Sequence, residues 1–487
     1  MKTTSALLPL LYSGEGGGEG LRSRIPEHFS QSRKTLTLAL SRVQEREPEQ
    51  TLTARAPNFS LSPLEPRTFF NNSPLTFCTC SLGGACALHG LPAIPASPIT
   101  SAAPSADEPT HSLASLPQLS SRPGAPARIY LEFRGAAPIP NWGQGLSATT
   151  TPAYDINGDP TTFSDTELAC IREIWSRVAE KYSPFDIDVT TVDPGVYNVR
   201  ETARIVIGGD GAWTGGKFGG YAGINGFIGS NSNTAFVFPA NLAGGVAKYV
   251  GEAASHEAGH TFGLQHQSVI NEDGTLADQY NRGDALKAPV MGSSYFSARG
   301  VWWSGYTQLG FFQSDLTRVV SNKPFALRAD DFADDISSAM ALAVSDSVPV
   351  HIEGVITKTS DVDTFSFITT GGIMNIRADV AEFGAMLDLQ LILTDSAGLP
   401  FATADSASLG ESIAMDLPAG TYYLQVASHG EYGDVGQYTL TGTLVPEPST
   451  AAILLMGLGL VLNRRPNQNK KARHQNGGLP VFNKNAI

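Results

Sequence analysis

Eleven residues constrain this chain more than any others: His256-Glu257-Ala258-Gly259-His260-Thr261-Phe262-Gly263-Leu264-Gln265-His266. Histidines four residues apart stack on one helix face, so His256 and His260 can share one point in space only if the segment begins as a helix. Gly263 lets the backbone leave that helix in a conformation that other residues resist. A chain that turns back there presents His266 as a third nitrogen. Three neutral imidazoles with an open fourth position make a catalytic zinc site rather than a closed structural one. Glu257 stands too close to the first ligand to bind the same ion comfortably, but it can reach a metal-bound water as a general base. A lone HExxH pair arises by chance. Here five positions are fixed, and at about one in twenty each, a chance match in a chain of this length is roughly one in several thousand. Three of only nine histidines fall in this window. The expected ligands of Zn2+ are therefore His256, His260 and His266, with Glu257 catalytic.

The flanking chain reads as a mixed α/β domain. Strand-like runs occur at ARIYLEF from Ala127, FDIDVTT (Phe185 to Thr191), ARIVIGG (Ala203 to Gly209) and TAFVF (Thr234 to Phe238). Ser164 and Glu167 form a capping box, and Leu168, Ile171, Trp175 and Val178 follow at helical spacing to about Tyr182. A second helix is expected from about Ala243 through Phe262. Downstream lies Ala288-Pro289-Val290-Met291-Gly292-Ser293, whose Met291 is the only methionine between Met1 and Met340.

These features resemble the metzincin metallopeptidases, whose long motif HExxHxxGxxH is followed by a methionine-containing turn. The resemblance covers about 127 to 325. It implies a mixed twisted sheet with an active-site helix, zinc-dependent peptide hydrolysis, and Met291 as a structural floor beneath the zinc histidines. It also implies an extended substrate along an edge strand, for which TAFVF is the expected strand. Some subfamilies place a zinc-binding Tyr two residues after the Met. Ser293 stands there, which leaves Tyr295 as the nearest phenol, either an oxyanion helper or a core side chain.

Beyond an acidic linker, 326–344, the hydrophobic period changes to two. Phe365/Phe367, Leu387/Leu389/Leu391/Leu393, Tyr422/Leu424/Val426 and Tyr438/Leu440 recur at alternate positions between turn clusters, an all-β sandwich over 345–444. Asp330-Asp331, Asp334-Asp335-Ile336, the run Asp361 to Phe367 and Pro418 to Leu424 resemble a bacterial pre-peptidase C-terminal domain. Such modules accompany secreted proteases. Asp361 and Asp363 are either Ca2+ ligands or solvated strand-entry carboxylates. Asp155, Asn157 and Asp159 read as an Asx turn, with a structural Ca2+ site as the alternative.

At the C-terminus, Val445-Pro446-Glu447-Pro448-Ser449-Thr450 precedes the apolar run 451–462 and Arg464-Arg465. Twelve such residues are marginal for a bilayer of about 30 Å. The order resembles the PEP-CTERM sorting signal (445–466), read by an exosortase. It implies export in a Gram-negative bacterium with exopolysaccharide, transient inner-membrane anchoring by 451–462, and a cell-surface or matrix destination. A polar basic tail, 467–487, departs from the usual ending.

Residues 1–126 read as a flexible export or pro-region. Twelve of the 31 prolines fall between Pro57 and Pro126, and the apolar run Ala6 to Tyr12 is a poor secretory signal. Cys78, Cys80 and Cys86 match no zinc finger. They are a linker's incidental thiols or, by analogy with some metzincin pro-segments, a latency ligand. Cys170 reads as a small buried hydrophobe. With 33 basic and 46 acidic residues the net charge is −13, against a nucleic-acid binder. The function expected is an exported zinc endopeptidase acting on protein or peptide substrates. The rivals are a non-enzymatic matrix or adhesion protein that keeps the fold and a zinc enzyme for non-peptide amides.

Overall fold

The computed structural model describes residues 88–92, 108–143, 145–343 and 349–446, all within one compact unit. The N-terminal apolar run, Cys78, Cys80, Cys86, the run 451–462, Arg464-Arg465 and the tail 467–487 lie outside the described residues.

Six strands form the sheet that carries the histidine segment: β1 (Leu88–Pro92), β2 (Ala127–Glu132), β3 (Ile187–Thr190), β4 (Thr202–Ile207), β5 (Phe218–Gly223) and β6 (Thr234–Val237). Their spatial order is β1-β5-β6-β4-β2-β3. Strands β3, β2, β4 and β6 run parallel to their neighbours, whereas β5 is antiparallel to β6 and β1 antiparallel to β5. Parallel neighbours need a long crossover. Helix α1 (Asp165–Tyr182) supplies one between β2 and β3, and helix α2 (Ala247–Thr261) follows β6.

Alternate strand residues divide between two faces. Ile205, Ile207, Ala235 and Val237 join Ile171, Ile174 and Val178 of α1 and Ala254 and Ala258 of α2 in the main core. Val206, Phe236 and Phe238 meet Trp142 on the other face. Because both faces are covered, these strands are nearly continuous in apolar residues. The capping box forms as the sequence predicts: Glu167 N donates to Ser164 Oγ (3.2 Å) and Ser164 N to Glu167 Oε2 (2.7 Å). A cap of this kind contributes about 0.5–2 kcal/mol. Cys170 is half-buried and packs against the main core, where burial pushes its thiol up.

Three expectations are corrected. Residues 108–126 are not loose: Thr110–Ser112 pairs with Thr162–Ser164, and Ser121 N and Thr191 N bond across to Val189 O and Leu119 O along β3. This attachment is made by backbone groups and by polar side chains such as Ser120, Ser121 and Arg122, with Leu116 alone fully entering the core, which is why no apolar period announced it. TAFVF is not an edge. β6 is hydrogen-bonded on both sides, to β5 and β4, so its backbone has no row of groups left for a substrate. Helix α2 starts at Ala247 because Ala243, Gly244 and Gly245 adopt positive φ (53°, 76° and 94°), which an α-helix excludes.

The β-rich region is a pair of antiparallel-dominated sheets. One has the order Met340–Ala341, Val362–Thr369, Gly420–Ser428, Leu389–Thr394, Pro400–Ala404; the other runs Val350–Ile356, Gly436–Pro446, Gly372–Val380, Glu411–Leu417. The period-two residues Phe365, Phe367, Leu389, Leu391, Leu393, Leu424, Val426, Tyr438 and Leu440 all enter its core. The acidic linker is fastened to it: Phe332 packs on Phe365, and Val362 N donates to Asp334 Oδ1. Buried Glu180 of α1 accepts from Met386 N and from Gln437 N and Nε2, while Arg299 donates to Met386 O. Among the described residues no helix is long and apolar enough to cross a membrane.

Candidate metal centre

Helix α2 ends in a Schellman turn that explains the spacing of the histidines. Gly263 N donates to His260 O (2.9 Å), Leu264 N to Gly259 O (3.0 Å), and Gly263 holds φ at 92°. A Cβ at Gly263 would also collide with Asn225 Oδ1. The chain therefore folds back within three residues, and His266 returns beside His256 and His260. His260 Nε2 lies 3.0 Å from His256 Nε2 and 3.1 Å from His266 Nε2. The three rings are buried.

The opposite ring nitrogens fix the tautomers. His256 Nδ1 lies 2.7 Å from Val290 O and His260 Nδ1 lies 2.8 Å from Leu264 O. Carbonyls only accept, so both Nδ1 atoms carry the proton and, in the neutral rings, both Nε2 atoms present lone pairs. His266 Nδ1 lies 3.0 Å from the Gln279 side-chain amide. That contact is made by the amide nitrogen Nε2, a donor, so it does not by itself place the proton on Nδ1 of this third ring. Lone pairs converging at 3.0–3.1 Å repel unless a cation lies between them, and ligand bonds of about 2.0–2.1 Å give nitrogen separations of roughly 3.3 Å in a tetrahedral zinc site. The residues present fit zinc.

Support beneath the rings is dense. Met291 is fully buried, and a Cβ at Gly259 would lie 2.5 Å from its Sδ, so the thioether lies against the helix between the two ligand turns. Met291 O accepts from Gln267 N (2.8 Å), which couples this turn to His266. Tyr280 packs its ring 4.4 Å from that of His266. Gln313 clamps Gln265 through both its N–H and its C=O, and Asp315 accepts from the side chains of Gln267 and Gln313 and from Trp303 N. Burial pushes the Asp315 carboxyl up to about 7, against the pull of those donors.

Glu257 is fully buried, on the side of α2 that faces β5. A Cβ at Gly220 would lie 2.5 Å from both Glu257 Cγ and Oε1. Bare backbone of β5 is thus pressed on the carboxyl group, and any side chain at 220 would displace it. Tyr295 is buried and its hydroxyl makes no hydrogen bond among the described residues. Burial first, and the Glu257 charge second, raise its pKa well above the usual phenol range. Sequence reasoning missed Gly220, Asn225, Gln279, Tyr280 and Asp315. Only the paired glycines 219 and 220 inside a strand carried a signal, since glycine there marks close approach of another group.

A second cluster lies at the linker. Carboxylate oxygens of Asp330, Asp361 and Asp363 fall within 4.8 Å of one another. Asp361 and Asp363 are fully buried, not solvated. Asp361 Oδ2 accepts from Thr357 N and Oγ1, and Asp363 Oδ2 from Tyr438 Oη, whereas Oδ1 of each has no hydrogen-bond partner. Burial, with the neighbouring acids adding, pushes the Asp363 carboxyl up to about 8. The Asp155 group differs: Asp155 Oδ1 accepts from the amides of Asn157 and Gly158, and Asp159 from Thr161, which are Asx turns.

Residues 444–465 carry a PEP-CTERM protein-sorting motif. Such motifs mark proteins exported and sorted to the cell surface in Gram-negative bacteria, and an exosortase-type enzyme recognises them. No curated protein matches the chain. Among solved structures, the pre-peptidase C-terminal domain of collagenase from Bacillus anthracis is similar at 18% identity, covering 21% of this chain and 91% of that one (TM-score 0.18). The periplasmic g-type lysozyme inhibitor PliG of Aeromonas hydrophila is similar at 11% identity, covering 22% and 94% (TM-score 0.18). The Yersinia pseudotuberculosis-derived mitogen is similar at 13%, covering 22% and 92% (TM-score 0.16).

Replacing Gly263 with alanine strains the backbone and pushes on Asn225, which moves His266. Gly263→Ala should weaken zinc binding about 10–100-fold, the usual effect of losing support around a ligand. Competition with a chelating dye checks this; unchanged affinity would contradict the role given to the turn.

Proposed function

We propose that the protein is an exported zinc-dependent endopeptidase with a metzincin-like catalytic domain. The observation that carries this reading is the buried convergence of three imidazole Nε2 atoms at 3.0–3.1 Å, with a buried carboxylate, Glu257, one residue along the same helix. The mixed sheet, the helix bearing two of the histidines and the methionine packed beneath them add support. His256, His260 and His266 would hold the ion. Zinc supplies Lewis acidity, which brings the pKa of water from about 15.7 to about 7.

The chain's own groups do the rest. Glu257, held against β5, takes a proton from the attacking water and later delivers it to the leaving amine. The Tyr295 hydroxyl, beside Glu257, donates to the carbonyl oxygen as charge develops on it. A retained carboxylate argues against the matrix or adhesion alternative, because a binding module has no use for a base at that position.

Glu257→Ala should keep one zinc per chain and the fold while cleavage of denatured casein falls about 10²–10⁴-fold, the usual contribution of a general acid–base group. Zinc content and cleavage are read on the same samples. Cleavage at the unmutated rate would overturn the assignment.

The sandwich is proposed as a pre-peptidase C-terminal-type module that holds Ca2+ through Asp330, Asp361 and Asp363. Unpartnered, buried Oδ1 atoms of two aspartates favour this, because hard oxygen ligands suit calcium. An ion there would pin the linker to the strand Val362–Thr369. Calcium at 100 times its Kd should stabilise chelator-treated protein by about 2.7 kcal/mol, seen as a rise in Tm, and Asp361→Asn should abolish the rise. A melting curve indifferent to millimolar calcium would contradict the site.

A further inference from the structure

We propose that Lys181 and Glu252 are positioning residues for the metal centre: through them, docking of the sandwich holds helix α2 and the methionine turn in register. This rests on the reading of His256, His260 and His266 as zinc ligands. The last turn of α1 touches both regions with three consecutive buried side chains. Glu180 accepts from Met386 N and Gln437 N of the sandwich. Lys181 Nζ donates to Gly384 O of the sandwich (2.6 Å) and lies 3.5 Å from Glu252 Oε1 on α2. Tyr182 Oη donates to the carbonyl of Ser255 (2.9 Å), the residue before the first of the three histidines. The sandwich is not loosely appended, since its Met386 and Val435 enter the main core.

Glu252 carries the connection on to the site. It stands four residues before His256, on the same face of α2, and its Oε2 accepts from Ser294 Oγ (2.5 Å). Ser294 follows Met291 by three residues, in the segment whose Val290 O accepts from His256 Nδ1. One carboxylate thus clasps the helix that bears His256 to the segment that orients its ring. The space around it is closed: a Cβ at Gly300 would collide with Glu252 Oε2. A carboxylate buried in this way is costly unless a cation compensates it, and removing one partner leaves the other charge uncompensated. Lys181 supplies that cation, and the sandwich fixes where it sits. A second link runs through Trp302, whose Nε1 donates to Lys181 O (2.7 Å). Gly433 of the sandwich packs so closely on Trp302 O that a Cβ there would collide with it.

A buried ion pair can also serve the fold alone, so the metal site has to be read separately from stability. Full-length protein is stripped of metal, and three quantities are measured: its Tm, its zinc affinity against a chelating dye, and its visible spectrum with Co2+ in place of zinc. Lys181→Met should weaken zinc binding about 10–100-fold, as losing a partner around a ligand does, and alter the Co2+ bands that report ligand geometry. Adding Glu252→Gln, a neutral side chain of the same shape that needs no cation, should recover affinity by about threefold or more, the coupling expected within one network. Should Lys181→Met not fold, two milder variants decide. Ser294→Ala deletes only the hydroxyl at the end of the clasp, and Gly433→Ala pushes the sandwich off Trp302; each should weaken zinc binding about tenfold. A lower Tm with unchanged zinc affinity and an unchanged Co2+ spectrum would overturn the inference while leaving the zinc reading intact. Weakening in Ser294→Ala but not in Gly433→Ala would overturn the sandwich's part in it. Unmutated protein that takes up neither metal would overturn the zinc reading, and this inference with it.

Discussion

Three imidazole Nε2 atoms crowded in a buried site, that of His260 lying 3.0 and 3.1 Å from the other two, are an electrostatic liability, and much of the surrounding domain is arranged to enforce it. Two of the rings are locked by carbonyls that accept from Nδ1, one of them from the residue after the Schellman turn and one from the residue before Met291. The turn itself depends on one glycine at φ 92°. Below it, Gln313 holds the backbone of Gln265 and Asp315 the side chain of Gln267, on either side of His266. A set of contacts this specific makes sense if a cation replaces the repulsion with ligand bonds, and it makes little sense as ordinary core packing.

The sheet contributes in a different way. Its interior strands, β4 and β6, are buried on both faces and fix α2 against the core. In its antiparallel part, β5 brings bare backbone against Glu257 at Gly220 with no side chain between. The sandwich adds a rigid body, tied to α1 through the buried Glu180 carboxylate and to its own linker through the aspartate cluster.

Much of this was legible in the sequence. The histidine spacing with Gly263, the capping box at Ser164 and the alternating strands of the sandwich each depend on local chemistry, so residue type and period were enough. What escaped depends on contacts between distant segments. TAFVF reads as a strand, but whether a strand is inner or outer is decided by partners far along the chain. Residues 108–126 lack an apolar period because they attach mainly through backbone and polar side-chain bonds along β3. Gln279 and Asp315 look like any surface polar residues until the fold places them beside His266 and Gln267. The reading of Asp361 and Asp363 as solvated strand-entry carboxylates is likewise corrected, since contacts with the linker and the facing sheet leave both fully buried.

The central claim is that His256, His260 and His266 jointly hold a zinc ion, and X-ray absorption at the zinc edge on the purified full-length protein tests it most directly. The account predicts one zinc per chain with three imidazole nitrogens at about 2.0–2.1 Å, and loss of that signal in His260→Ala. A folded protein that takes up no stoichiometric zinc would contradict it, and so would an unchanged zinc environment in that variant.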